Sequence, residues 1–353
     1  MRSWPLKGWT GALALAALVL ATPAAAQPAP AGLEDQLREL KAQNESLNHR
    51  LDELAKAVDD VAFFVRLGDV AEVDKWRIAG PPPANVKNPE AAGATNPVKF
   101  YTYTFVPKNR KPGEKLPLLL LPHGGVHADF TTYHVHILKE LLAQGYAVIA
   151  PEYRGSTGYG EGFYRLIDYG GREVDDCHAA VQWALENFDF VDRDRVGLIG
   201  WSHGGLIVLM ESFFHPKEYA CVFAGVPVSD LVMRMGYEDK DYEDEFSAKF
   251  HIGKPVREDI AEYKRRSPVW HADKLAVPLL LHTNTNDEDV RYVEVQHLIE
   301  ALKAAGKDFE YKVYQDAPGG HSMDRMDTML AKDGRREIYR FLARYLKPPR
   351  PAK

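Results

Sequence analysis

The chain has 353 residues, of which 45% are hydrophobic and 27% charged, with a formal charge of −6 at neutral pH. This is the composition of an ordinary globular protein with room for one large domain and an appendage. The mild negative charge supplies no basic stripe, so nucleic acid is not an expected partner.

The first segment reads as an address rather than as structure. Arg2 and Lys7 precede an apolar run, GALALAALVLA at 11–21, and Ala24-Ala25-Ala26 offers a small-residue cleavage site before Gln27. This pattern predicts a signal peptide over 1–26 and a secreted or periplasmic protein. The run falls short of the ~20 apolar residues that span a bilayer, so no stable membrane insertion is expected after cleavage. Export permits a disulfide, but Cys177 and Cys221 are the only cysteines; the sequence leaves a bond and two buried thiols both open.

Residues 27–66 predict a coiled-coil oligomerisation helix. Leu33, Leu37, Leu40, Asn44, Leu47, Leu51, Leu54, Val58, Val61 and Val65 alternate spacings of four and three without a slip. Asn44 falls at an a position, where one buried Asn fixes register and selects two parallel strands. The expectation is a homodimer through Leu33–Val65; an amphipathic helix packed on its own domain is the alternative. Pro81-Pro82-Pro83 and the Gly, Asn and Pro residues up to Pro97 mark loops, giving a linker over 67–98.

From 99 to 348 strands and helices alternate. KFYTYTFV (99–106), LPLLLL (116–121), YAVIA (146–150), VGLI (196–199), PLLLH (278–282) and FEYKVY (309–314) read as strands with helices between them. Short apolar strands separated by helices predict a mostly parallel sheet covered on both faces. The early strands lack a phosphate-binding G-x-G-x-x-G, which argues against a nucleotide domain.

Gly200-Trp201-Ser202-His203-Gly204 fits G-x-S-x-G between a strand and a helix, the context of a nucleophile elbow and hence of an α/β-hydrolase fold. A serine needs a base to take its proton. In this fold the chain order is Ser, acid, His, and His321 in the Gly-rich loop after the last strand is the candidate base. The acid belongs to the loop after the preceding strand, where order alone leaves Asp287, Glu288 and Asp289 open. The oxyanion donors are expected to be the N–H groups of His203, next to the nucleophile, and of Gly125 in His123-Gly124-Gly125.

PHGG (122–125), PEYRGSTGYG (151–160), GWSHGG (200–205), RSP (266–268), NDEDV (286–290) and GGHS (319–322) together resemble the prolyl-oligopeptidase family of serine peptidases. The resemblance covers about Lys99 to Leu346. It implies that the acid is the Asp of D-x-x-V, here Asp287, and that the substrates are peptides. Such peptidases usually carry a β-propeller ahead of the hydrolase domain, where this chain has a helix and a short linker; Val126 also stands where the family often has Pro. Esterases acting on small or sugar-linked esters share the domain without a propeller, so a carboxylic-ester hydrolase stays open. A non-catalytic coiled-coil assembly protein is the third reading.

Candidate substrate contacts are Tyr153, Arg154, which could hold a substrate carboxylate but for which a structural ion pair is favoured, and Glu243 and Glu245 in the acidic stretch YEDKDYEDEF (237–246), which could hold a substrate amino group or be a solvated helix face. His123, His127, His134 and His136 cluster in sequence, but no nearby Cys or tight ligand pair completes a metal site. No metal and no cofactor is expected.

Overall fold

A computed structural model describes residues 32–352 apart from 85 and 87. The expected signal peptide lies outside the described residues. Among those described, no helix is long and apolar enough to cross a membrane.

Helix α1 (Leu33–Leu67) runs without a break through the heptad. It is shared by two compact units, one ending at Asn44 and the other covering Glu45–Lys353. In the first unit Leu33, Leu37 and Leu40 are exposed; in the second, so are Leu47, Leu51, Leu54, Val58, Val61 and Val65. Within the second unit a different stripe of α1 is buried, at Lys56, Phe63 and Leu67. From Glu45 onward the helix therefore belongs to the catalytic unit, where the sequence reading had a separate arm. The docking stripe escapes a hydrophobic-pattern reading because it is largely polar. Asp59 takes the backbone N–H and hydroxyl of Thr132 at 2.9 and 2.6 Å, and Asp60 pairs with Lys75 at 2.6 Å.

The sheet has eight strands: β1 (Ala71–Ala79), β2 (Lys99–Pro107), β3 (Leu116–Leu120), β4 (Ala147–Glu152), β5 (Val191–Trp201), β6 (Cys221–Gly225), β7 (Leu279–Asn284) and β8 (Glu310–Tyr314). Their order is β1-β2-β4-β3-β5-β6-β7-β8. The β1–β2 and β2–β4 pairs are antiparallel and all others parallel. β1 corrects the expected linker. AEVDKWRIA alternates buried and exposed positions at its start, but the Pro- and Gly-rich loop behind it dominated the reading of that region.

Short β-branched and leucine strands such as LPLLL are buried throughout, as parallel strands covered on both faces must be. One face packs against α4 (Arg172–Asn187), α5 (His203–Phe214) and α9 (Tyr292–Ala304), through Val181, Leu209 and Leu298. The other packs against α2 (Val135–Gln144), α10 (Met329–Leu346) and the end of α1, through Leu138, Leu342 and Phe63. Cys177 and Cys221 are buried free thiols. The short helix α3 (Glu161–Tyr164) follows β4, and α6 (Leu231–Tyr237), α7 (Lys240–Phe246) and α8 (Ile260–Arg265) are inserted between β6 and β7.

Candidate active site

The central strand β5 ends at Trp201 and α5 begins at His203, leaving Ser202 alone to reverse the chain. Its backbone sits at φ 58°, ψ −125°, a region that costs an L-residue of order 1–3 kcal/mol and persists only where the surroundings enforce it. Enforcement is visible on both sides. The Ser202 N–H donates to the Gly225 carbonyl at 3.0 Å, and the Ser202 carbonyl accepts from Val228 at 3.1 Å. The flanking glycines are required by space: a Cβ on Gly200 would come within 2.3 Å of the Gly204 carbonyl oxygen, and one on Gly204 within 2.5 Å of that of Pro122.

His321 lies in the turn after β8. Its Nδ1 is 2.8 and 3.0 Å from the two carboxylate oxygens of Asp287. A carboxylate only accepts, so Nδ1 carries the proton and Nε2 is left with its lone pair. Asp287 is buried and held in turn, its Oδ1 accepting the N–H groups of Asp289 and Val290, each at 2.9 Å. Geometry thus separates the three acids that chain order could not. Ser202 and His321 line the same cavity, of about 640 Å³. Among the described residues the imidazole bonds to Asp287 alone; contacts of this kind to a nucleophile tighten in the substrate complex.

Gly124 and Gly125 line the cavity beside Ser202 and His203. A Cβ on Gly124 would touch the Ser202 Cβ at 3.3 Å, and Gly125 has φ +72°. The His203 N–H, in the first helical turn, has no carbonyl partner within its own helix.

The proposed substrate contacts divide. Tyr153 is fully buried behind the glycine loop, and its hydroxyl donates to the Gly125 carbonyl at 2.8 Å; it braces the loop instead of meeting substrate. Arg154 is also fully buried. Its guanidinium grips both Asp176 oxygens at 2.7 Å and donates to the Pro81 and Pro82 carbonyls, so it ties the loop before β2 to α4. Glu243 faces Arg257 at 3.7 Å and does not line the cavity. Glu245 does line it, and burial raises its pKa against the opposing hydrogen bond from Tyr164.

Several contributors were not read from the sequence. Asn284, the last residue of β7, donates to the Ala317 and Gly320 carbonyls and accepts from the Ala317 N–H, each at 3.0 Å, clamping the loop that carries His321. Arg234 lines the cavity and donates to the Tyr242 hydroxyl at 2.7 Å and the Asp289 carbonyl at 2.9 Å. The only signal for Asn284 was its place at the end of an apolar strand. Arg234 gave none.

The sequence pattern of the prolyl oligopeptidase family matches residues 132–349. The acylamino-acid-releasing enzyme of Arabidopsis thaliana is 27% identical over 260 residues, 72% of this chain and 34% of its own length. Dipeptidyl aminopeptidase BIII of Pseudoxanthomonas mexicana is 31% identical over 222 residues, 61% of this chain and 32% of its own. The chain thus spans about a third of the length of these curated relatives. Among solved structures, Pyrococcus horikoshii acylaminoacyl peptidase superposes with a TM-score of 0.65 at 18% identity, over 80% of this chain and 43% of that one, a likeness of fold. With residues 132–349 matched, on a sheet that carries a strained elbow serine and an acid-held imidazole in one cavity, the chain belongs to the prolyl oligopeptidase family.

Proposed function

We propose that this chain is an exported serine peptidase that cleaves short peptides through an acyl-enzyme on Ser202. The observation that carries the chemistry is the Asp287-held imidazole of His321 in the cavity that also receives Ser202. Ser202 Oγ attacks the scissile carbonyl while His321 Nε2 takes its proton. The same proton then goes to the leaving amine as the C–N bond breaks. Water attacks the ester so formed, giving its proton to His321, and the released serine recovers it. The N–H groups of His203 and Gly125 hold the developing oxyanion, each contributing about 2.7–4 kcal/mol.

Peptide over ester is supported by the relatives and by the wall of the cavity. Glu245 and Asp289 in the wall are suited to a free amino terminus, and Arg234 supplies a buried cation. Export rests on the N-terminal segment, and gives a secreted or periplasmic enzyme. The exposed stripe Leu33–Val65 supports a parallel homodimer.

The test is turnover on a panel of aminoacyl, acylaminoacyl and dipeptidyl anilides beside a short-chain p-nitrophenyl ester, wild type against Ser202→Ala. Serine-dependent release of the aniline is expected. Ester turnover without anilide cleavage would replace the peptidase reading with an esterase. Silence on both, with no fluorophosphonate labelling, would leave a non-catalytic assembly protein.

A further inference from the structure

Two side chains of the cavity wall, His127 and Glu245, meet buried His251 behind them, and acyl transfer uses none of the three. His127, in the loop after β3, points its Nε2 at the Nε2 of His251, 3.0 Å away. Its other nitrogen, Nδ1, lies 2.9 Å from the Gly155 carbonyl. A carbonyl only accepts, so the proton of neutral His127 is on Nδ1 and a lone pair faces His251. The ring is held in that orientation by Tyr164, stacked on it at 3.5 Å between centroids. His251 is 1% exposed; its Nε2 donates to that lone pair, and its partnerless Nδ1 can take over the ring proton when Nε2 binds a metal. A Glu245 carboxylate oxygen completes the group, all three ligand atoms lying within 4.8 Å of one another.

We infer that His127, His251 and Glu245 form a binding site for a zinc-class divalent transition-metal ion in the wall of the catalytic cavity. Two imidazole nitrogens and one carboxylate oxygen are a donor set for zinc, cobalt or nickel and not for magnesium or calcium, which take oxygen. Bonds of ~2.0–2.1 Å at tetrahedral angles put two ligand nitrogens ~3.3 Å apart, so the pair need open by only a few tenths of an ångström. The Nδ1–H to Gly155 is the outer contact that orients metal-binding histidines. Three protein ligands leave a further coordination position free. The ion takes no part in the acyl transfer; occupying the wall of the cavity, it narrows it and inhibits.

The other histidine–carboxylate group, His178, Glu211 and His215, is arranged differently. Both His178 nitrogens already face carboxylates, Glu211 at 3.1 Å and Glu218 at 3.7 Å, an ion-pair network that favours a proton. It therefore serves as the control site.

The experiment is calorimetric titration of the chelator-treated full-length protein with zinc chloride, followed by the visible spectrum of the cobalt-loaded protein. One ion per chain and an intense tetrahedral cobalt spectrum are expected. His127→Gln and His251→Gln should each weaken binding by ~100-fold or more, above the 10–100-fold that outer contacts command. His178→Gln should leave it unchanged. Far-UV dichroism verifies folding, and either histidine variant alone decides if the other fails to fold. In wild type, zinc should lower turnover and chelator restore it. No binding, or binding lost in His178→Gln or His321→Gln but kept in His127→Gln, would overturn the assignment. The binding readout stands whether the enzyme proves to be a peptidase or an esterase.

Discussion

Lys56 Nζ lies 2.5 Å from Glu152 Oε1, and both side chains are buried. The lysine comes from α1 and the glutamate ends β4, directly behind the glycine loop of the active site. The Glu152 carboxylate also takes the Phe130 N–H at 3.2 Å and stands 3.6 Å from His123 Nε2, while Lys56 adds Asp129 at 3.1 Å. The helix with the unpartnered outer stripe is thus bolted through its inner stripe to the wall of the catalytic cavity. Lys56→Met strands a buried carboxylate and should destabilise the protein by ~3–5 kcal/mol. Lys56→Met with Glu152→Met removes both charges, so its cost should fall short of the sum of the singles by ~1–3 kcal/mol. Urea denaturation of the four proteins measures this coupling; additive costs would mean the pair is not an energetic unit.

The same glutamate gives a pH signature. Burial pushes Glu152 up to about 7 from an ordinary 4.5, against the pull of Lys56. Its folded value exceeds its unfolded one, so between those pH values the native state holds a proton that the unfolded chain has lost. Stability from this group is full below about 4.5 and declines as pH rises to about 7. Glu152→Gln cannot titrate. The stability of wild type minus that of the variant should therefore fall across this window and level off above it. Parallel curves from pH 4 to pH 8, on the order of two units either side of 6, would show that Glu152 does not titrate there.

What could be read without coordinates, and what could not, divides along physical lines. Ser202 and His321 are legible because a strained strand-to-helix turn tolerates few residue types and because chain order is fixed by the sheet. Asp287 needed the resemblance, since three adjacent acids satisfy the order; its two N–H donors, from Asp289 and Val290, are what single it out. For Arg154 the sequence favoured a structural ion pair over a substrate contact but could not name its partners, because Asp176, Pro81 and Pro82 are scattered in sequence. The docking stripe of α1 was hidden by the stronger apolar stripe beside it. His251 stands 124 residues from His127, and no local pattern joins them.

The acid assignment makes a graded prediction. Asp287→Asn keeps the shape but cannot hold the Nδ1–H tautomer, and kcat should drop by ~10⁴-fold. Asp289, whose backbone and not its carboxylate serves this network, should tolerate Asn with a loss in kcat below roughly tenfold, small beside that. Any change at Asp289 should appear in KM for substrates with a free amino terminus. Equal losses of kcat in the two variants would reject Asp287 as the sole orienting acid.

Asn284 acts on catalysis through His321, as a positioning residue. Replacing it with Ala leaves the Ala317 N–H without its partner, costing about 1–3 kcal/mol where no water reaches it, and takes one of two partners from the Ala317 and Gly320 carbonyls, which keep the N–H groups of Gly320 and Met323. The loop should loosen, lowering kcat with KM little changed. Asn284→Asp should recover only the bond to the Ala317 N–H. A variant that loses stability but keeps kcat would show that the clamp serves the fold alone.

The outer stripe of α1 makes the last prediction. Leu47, Leu51 and Leu54 are each more than half exposed on a helix whose other side is already docked. A folded monomer gains nothing from that stripe, whereas a parallel partner would bury it at roughly 25 cal/mol per Å² of apolar surface. Wild type should sediment as the proposed dimer in analytical ultracentrifugation and Leu47→Asp with Leu54→Asp as a monomer, while the Lys56 contacts, on the opposite stripe, stay in place. Turnover per active site should therefore persist, because the cavity is built from one chain. Truncation beyond Glu45 should behave differently: removing residues up to 44 spares the docked segment, whereas removing residues up to 65 takes Lys56 with it and should abolish folding or activity. A wild type that sediments as a monomer would remove the coiled-coil dimer and leave the stripe without an assigned partner.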